Sequence, residues 1–268
     1  MTIKGKIMQV FKQGSTALHY RDEGARDGRV LVFGNSLGTD LRIWDALLPL
    51  LPEGLRIVRF DKRGHGLSDA PPAPYAMESL VEDVEALCAH LGLSEITFVG
   101  LSIGGLIGQG LAAKRPDLVK ALVLLDTAAK IGTPDFWAAR IAAIQADGIA
   151  PMADGILLRW FTEDYRQNNP EFALWRNGLI RTTVEGYIGC CAAIAGADFT
   201  ASTAALELPV MVLCGEQDGS TPPDLVKATA ALARAEFHLI KDAVHIPNVE
   251  QAQETARLIN AFLERTAQ

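Results

Sequence analysis

The stretch EITFVGLSIGGLIGQGLAAKRP joins a β-type run to a helical run with one residue, Ser102, at the junction. Residues 95–100 carry the β-branched and aromatic side chains of a buried strand. Residues 103–115 read as a helix that Pro116 stops. A strand that passes into a helix with no linker must turn sharply. Gly100 and Gly104 leave room for that turn, and the residue at its apex is held exposed on a strained backbone.

The rest of the chain repeats the alternation. IMQVFKQ and TALHYRDEG read as two antiparallel strands. RVLVFGNS and RIVRFDKRGHGLS read as strands running into glycine-rich turns. In MESLVEDVEALCAHLGL the residues Leu80, Val84, Leu87 and Leu91 share a helical face, and Gly92 closes it. VKALVLLDT is a strand. After it, residues 130–197 hold helical patterns, three of the four tryptophans and no good strand. The alternation then resumes with PVMVLCGEQD (strand), PDLVKATAALA (helix), EFHLIKDAVH (strand) and QETARLINAFLERT (helix). Near-continuous apolar strands such as LVLL and VMVL predict a mostly parallel central sheet with helices on both faces. Residues 1–129 and 198–268 are expected to form this α/β core, with 130–197 a helical cap inserted in it. In such sheets ligands bind at the carboxyl ends of the strands.

Bulk properties narrow the function. The 268 residues suffice for one large domain. With 25 basic and 32 acidic residues the formal charge is −7, and no basic run marks a nucleic-acid binder. An anionic substrate would need a local cation, because the global field does not steer it. No apolar run reaches the length of a membrane span. The opening MTIKGKIMQV lacks the apolar core and cleavage site of a secretory signal. Cys88, Cys190, Cys191 and Cys214 form no C-x-x-C pair, so reduced, partly buried thiols in a cytoplasmic protein are expected. No metal site is implied. Nothing in the sequence speaks to oligomeric state.

Gly100-Leu101-Ser102-Ile103-Gly104 reads G-x-S-x-G. Alone it would equally describe a glycine-rich turn with a capping serine. The strand before it and the helix after it make it a nucleophile elbow, whose helix N-terminus favours developing negative charge. The serine then needs a base and an acid. Of five histidines, His19, His65, His90 and His238 read as structural. His245 follows the last strand in KDAVHIPNVEQ and is the candidate base. Asp218, in LCGEQDGSTPP, is the preferred partner acid. Asp126, which also ends a strand in VLLDT, competes for that role. Asp61 and Asp69 read as turn formers. The chain order Ser102, Asp218, His245 is the one such an elbow employs. Backbone N–H donors for a tetrahedral oxyanion are expected from Ile103 and, in GNSLGTDLRIW, from Leu37. Ser36 lacks the turn of a second nucleophile. Gly108-Gln109-Gly110-Leu111-Ala112-Ala113 reads G-x-G-x-x-A, but it lies inside a helix where a dinucleotide site requires a preceding strand. A dehalogenase or epoxide hydrolase would carry Asp at position 102.

These motifs resemble the α/β-hydrolase superfamily over nearly the whole chain. Within it, GNSLGTDLRIWD, FDKRGHGLSDAP, GLSIGGLIGQGLA, DTAAKIGTPDFWAARI, CGEQDGSTPPDLV and HIPNVEQ are similar to the enol-lactonases that hydrolyse 3-oxoadipate enol-lactone. The resemblance implies a small lactone or ester substrate, an acyl-enzyme, no cofactor and no metal. It also implies a cytoplasmic step in aromatic-compound catabolism, the β-ketoadipate pathway. Ala252 departs from the family, where proline often follows VEQ. Such a substrate bears a carboxylate, for which Arg42 and Arg140 are candidates, with Trp137 a candidate pocket wall. The rival readings are a general carboxylesterase or cofactor-free haloperoxidase-like hydrolase, and a non-catalytic small-ligand receptor.

Overall fold

The apolar runs of the sequence assemble into one eight-stranded sheet. A computed structural model of the chain describes residues 8–266. Ile7, with which the predicted first strand begins, lies outside the described residues, as does most of the N-terminal stretch read for a signal. The strands are β1 (Gln9–Gln13), β2 (Thr16–Gly24), β3 (Val30–Gly34), β4 (Arg56–Phe60), β5 (Ile96–Leu101), β6 (Val119–Leu125), β7 (Val210–Gly215) and β8 (Glu236–Ile240). They lie in the order β1-β2-β4-β3-β5-β6-β7-β8. β2 is antiparallel to both neighbours, and every other pairing is parallel. Every residue of β5 and β7 is buried. Successive side chains of a strand point to opposite faces, so both faces of the central sheet are covered.

Helix α1 (Met77–His90) buries Leu80, Val84 and Leu87 as their spacing predicts. Gly92, at φ +63°, ends it in the left-handed conformation. Helix α2 (Ile103–Lys114) follows Ser102 directly and packs on β3, β5 and β6. The G-x-G-x-x-A run lies within it. Between β6 and β7 the described chain is helical: α3 (Pro134–Asp147), α4 (Ala153–Leu157), α5 (Glu163–Asn168), α6 (Phe172–Ile180), α7 (Val184–Gly196) and α8 (Thr200–Ala204). The last is too short for its periodicity to show in sequence, and it packs on α2 and on α9 (Pro223–Leu232). A one-turn helix, α10 (Pro247–Glu250), precedes the closing α11 (Ala252–Arg265).

Several predicted strands are shorter than their sequence runs. β3 stops at Gly34, β4 at Phe60, β6 at Leu125 and β8 at Ile240. At each of these ends the chain leaves the ladder with a polar residue or a turn. Asp61 spends its carboxylate on loop N–H groups, and Asp126 adopts φ +43°. Of the residues cut from these strands, Ser36 and His245 line the cavity described below.

Candidate active site

Ser102 sits between β5 and α2 with φ +57° and ψ −120°, a conformation that costs a non-glycine residue about 1–3 kcal/mol. The surrounding backbone enforces it. The Ser102 N–H donates to the Leu125 carbonyl at 2.9 Å, and its own carbonyl accepts from Gly105 N–H at 2.8 Å and Thr127 Oγ1 at 2.7 Å. The flanking glycines are sterically required. A Cβ at Gly100 would lie 2.4 Å from the Gly104 carbonyl oxygen, and one at Gly104 would lie 2.1 Å from that of Gly34.

His245 follows β8, on the loop between Ile240 and α10. Its Nδ1 lies 2.8 Å from Asp218 Oδ2, on the loop after β7. Asp218 also accepts from the Thr221 hydroxyl at 2.6 Å and from Ser220 N–H at 2.7 Å. Burial opposes ionisation of Asp218, but His245 and these donors outweigh it and hold the carboxyl below the usual range. The loop carrying His245 is fastened to the helical segment. Its N–H donates to the Trp160 carbonyl at 3.2 Å, and Glu250 bridges Val244 N–H (2.8 Å) and Thr162 N–H (2.7 Å).

Asp126 lies beside Asp218 but is not hydrogen-bonded to His245. Its Oδ1 accepts from Gly215 N–H at 2.8 Å. Burial, and then the neighbouring Asp218 charge, push its carboxyl well above the ordinary value. The other four histidines have partners elsewhere. His19 pairs with Asp61 at 2.8 Å, His238 with Glu236 at 3.2 Å, His90 stacks on Phe11, and His65 Nε2 accepts from Gly38 N–H at 2.9 Å.

The loop after β3 is held from beneath. Asn35 Nδ2 donates to the Phe60 carbonyl at 3.0 Å, and the buried Lys62 ammonium reaches the Ser36 carbonyl at 2.6 Å and that of Thr39 at 3.2 Å. Among the described residues, neither Leu37 N–H nor Ile103 N–H finds a protein acceptor. Sequence reasoning missed Lys62 and His65 as supports of this loop, because both bond to backbone groups that no motif marks.

Ser36, Leu37, Ser102, Trp137, Arg140 and His245 line one cavity of about 190 Å³. It is smaller than the roughly 300–1,000 Å³ typical of sites for drug-sized ligands, so it suits a small compound. Trp137 is buried, with Nε1 donating to the Ile131 carbonyl at 2.7 Å. Arg140 lies over the Trp137 and Tyr187 rings (5.7 and 5.6 Å) and donates to the Tyr187 hydroxyl at 2.7 Å. Its Nε is buried without a partner, and no carboxylate among the described residues pairs with it. Arg159, unmarked by any sequence motif, is exposed at the same cavity. Arg42 does not line it. Its guanidinium forks onto Asp40 at 2.9 and 2.6 Å and lies largely in solvent. Asp40 stands two residues before Arg42 and caps the short turn Leu41–Trp44, which fixes that pairing.

Asp126, Cys214 and Asp218 bring potential metal-ligand atoms within 4.8 Å of one another. The chemistry is poor for a metal. Burial pushes the Cys214 thiol and the Asp126 carboxyl up, which disfavours the deprotonated forms a metal binds, and Asp218 is already engaged by four donors.

A strand-serine-helix elbow, a histidine–aspartate pair and a parallel sheet define the α/β-hydrolase class. The family model for the α/β hydrolase fold matches residues 29–252, and the chain belongs to that family. Two relatives from Acinetobacter baylyi are named 3-oxoadipate enol-lactonase. One is 36% identical over 253 residues, covering 93% of this chain and 94% of its own. The other is 31% identical over 260 residues, covering 96% and 97%. The crystal structure of the enol-lactonase from Burkholderia xenovorans LB400 superposes with a TM-score of 0.92 at 36% identity, covering 96% of this chain and all of that one. The resemblance read from the motifs is thus borne out.

Proposed function

We propose that this protein hydrolyses 3-oxoadipate enol-lactone to 3-oxoadipate, with Ser102, His245 and Asp218 as its triad. One observation carries the reading. A single small cavity presents Ser102 and His245 together with Arg140, a cation that no carboxylate among the described residues neutralises. That combination suits a compact acyl compound bearing its own carboxylate. The names of the relatives point to the same substrate.

His245 takes the Ser102 proton as Oγ attacks the lactone carbonyl, and Asp218 holds the imidazole in the required tautomer. The N–H groups of Leu37 and Ile103 receive the oxyanion. Collapse breaks the ring C–O bond and expels an enolate that stays attached to the acyl group. An enolate leaves more readily than an alkoxide; it takes up the proton held by His245 as it ketonises, which makes ring opening effectively irreversible and returns the imidazole to its neutral form. Water, deprotonated by His245, then releases 3-oxoadipate from Ser102. Arg140 holds the side-arm carboxylate against the Trp137 wall. Residues 130–197 act as the cap that supplies both. No cofactor enters the scheme. We assign the reaction to the cytoplasmic β-ketoadipate pathway of aromatic-compound catabolism.

The test compares purified protein on the enol-lactone and on p-nitrophenyl acetate. The lactone is turned over far faster, and Ser102→Ala abolishes both activities. Equal rates on the two substrates would identify a general esterase, and binding without turnover of either would identify a receptor.

A further inference from the structure

The peptide unit that offers the Leu37 N–H also contains the Ser36 carbonyl, on its opposite edge. That carbonyl is where the buried Lys62 ammonium binds, at 2.6 Å. Thr39 adds two neutral donors to the same oxygen, Oγ1 at 2.9 Å and N–H at 3.3 Å. We propose that Lys62 is a positioning residue for the oxyanion site, which orients the Ser36–Leu37 peptide and polarises it so that Leu37 N–H becomes a stronger donor. The inference rests on the serine-hydrolase reading above.

A cation on an amide oxygen draws electrons through the conjugated C–N bond and leaves the N–H more positive. Hydrogen bonds in series strengthen one another in this way, and more so in a low-dielectric interior. Lys62 is 2% exposed, so little solvent screens it. The register of the loop is set independently, since His65 Nε2 takes the next N–H, that of Gly38. That bond keeps the 36–37 peptide from rotating its N–H away from the cavity. A surface lysine or a neutral hydroxyl would leave the peptide oriented but not polarised.

The arrangement carries a pH signature. Burial lowers the Lys62 ammonium from the ordinary lysine value to about 8. The groups around it are Asp61 and Asp40, which favour the charge, the Cys190 thiol, pushed up to about 12 by burial, and His65, which burial and Lys62 hold neutral. Asp61 is engaged by His19, and Asp40 by Arg42. Below about pH 8 the site holds an ammonium. Above it the neutral amine still donates a hydrogen bond but polarises the peptide less, so kcat falls.

The experiment measures kcat and KM on p-nitrophenyl acetate from about pH 6 to about pH 10, corrected for spontaneous hydrolysis, for wild type, Lys62→Met and Lys62→Gln. Removing a whole oxyanion donor costs about 10²–10³-fold in kcat, so weakening one is expected to cost about 10–10²-fold, with KM changed less than about twofold. Lys62→Gln, which keeps a donor without charge, falls between wild type and Lys62→Met. Affinity for a boronic acid that forms a tetrahedral adduct drops in step with kcat. The alkaline decline of the wild type disappears in both variants. A variant that melts like wild type and keeps kcat and its alkaline limb unchanged overturns the proposal. Should both variants fail to fold, the wild-type profile decides: no alkaline decline in kcat refutes the role. A wild type that turns over no ester or lactone refutes instead the hydrolase reading on which the proposal stands.

Discussion

The sheet and the helical segment over it are built from different materials, and the proposed function gives them different work. β5 and β7 are buried at every residue, and the elbow between β5 and α2 tolerates no Cβ at Gly100 or Gly104. The helical segment is looser. α4 and α5 span five and six residues, and Leu158 and Leu174 are exposed there. Yet it contributes Trp137, Arg140 and Arg159 to the cavity. In the proposed mechanism the sheet places the reacting groups, where an error of an ångström is costly. The helices would then choose what reaches them, a task served by a few side chains and forgiving of the rest. Changes in the first region should therefore abolish turnover, and changes in the second should redirect it.

The sharpest break in that comparison is Asp218→Asn. It leaves the shape of the site intact but presents the wrong hydrogen-bonding partner to His245 Nδ1, so kcat is expected to fall about 10⁴-fold in steady-state assays on the lactone. Gly104→Ala comes next. Its methyl would meet the Gly34 carbonyl at 2.1 Å, backbone against backbone, and denaturant unfolding should show a loss of roughly 3 kcal/mol. Arg140→Met belongs to the second region. Losing a charge-assisted contact worth about 1.5–3 kcal/mol should cut kcat/KM for the anionic lactone by about 10–10²-fold, while p-nitrophenyl acetate is turned over nearly as before. An equal loss on both substrates would show that the helices serve the chemistry as well as the selection. The smallest effect is at the join. Glu250→Gln weakens the bridge from the His245 loop to Thr162 and should cost about 1 kcal/mol in thermal unfolding. Both activities then fall modestly together.

The same division explains what could be read from the sequence. The strands show as apolar runs because parallel strands covered on both faces admit little else. Ser102, Asp218 and His245 stand out because each follows a strand, at the carboxyl edge where ligands bind. Arg42 and Arg140 could not be ranked from sequence. The ranking depends on Asp40 turning back onto Arg42 and on α3 folding over the cavity, and neither leaves a periodic trace. Lys62 was hidden for a related reason, since its partners are carbonyl oxygens, which every residue has. α8 and α10 are shorter than the window in which helical periodicity emerges. Asp126 competed with Asp218 in sequence because both end strands. In the structure His245 pairs with Asp218, while burial pushes the Asp126 carboxyl up and disfavours its charged form.

Ser102 Oγ is the proposed attacking atom. A phosphonate ester that traps activated serines, added in increments and followed by peptide mass spectrometry, tests this most directly. One equivalent should be incorporated on the peptide containing Ser102, with lactone hydrolysis lost in proportion and no labelling of Ser102→Ala. Continued lactone hydrolysis after full labelling of Ser102, or inactivation that maps to another residue such as Ser36, would contradict it.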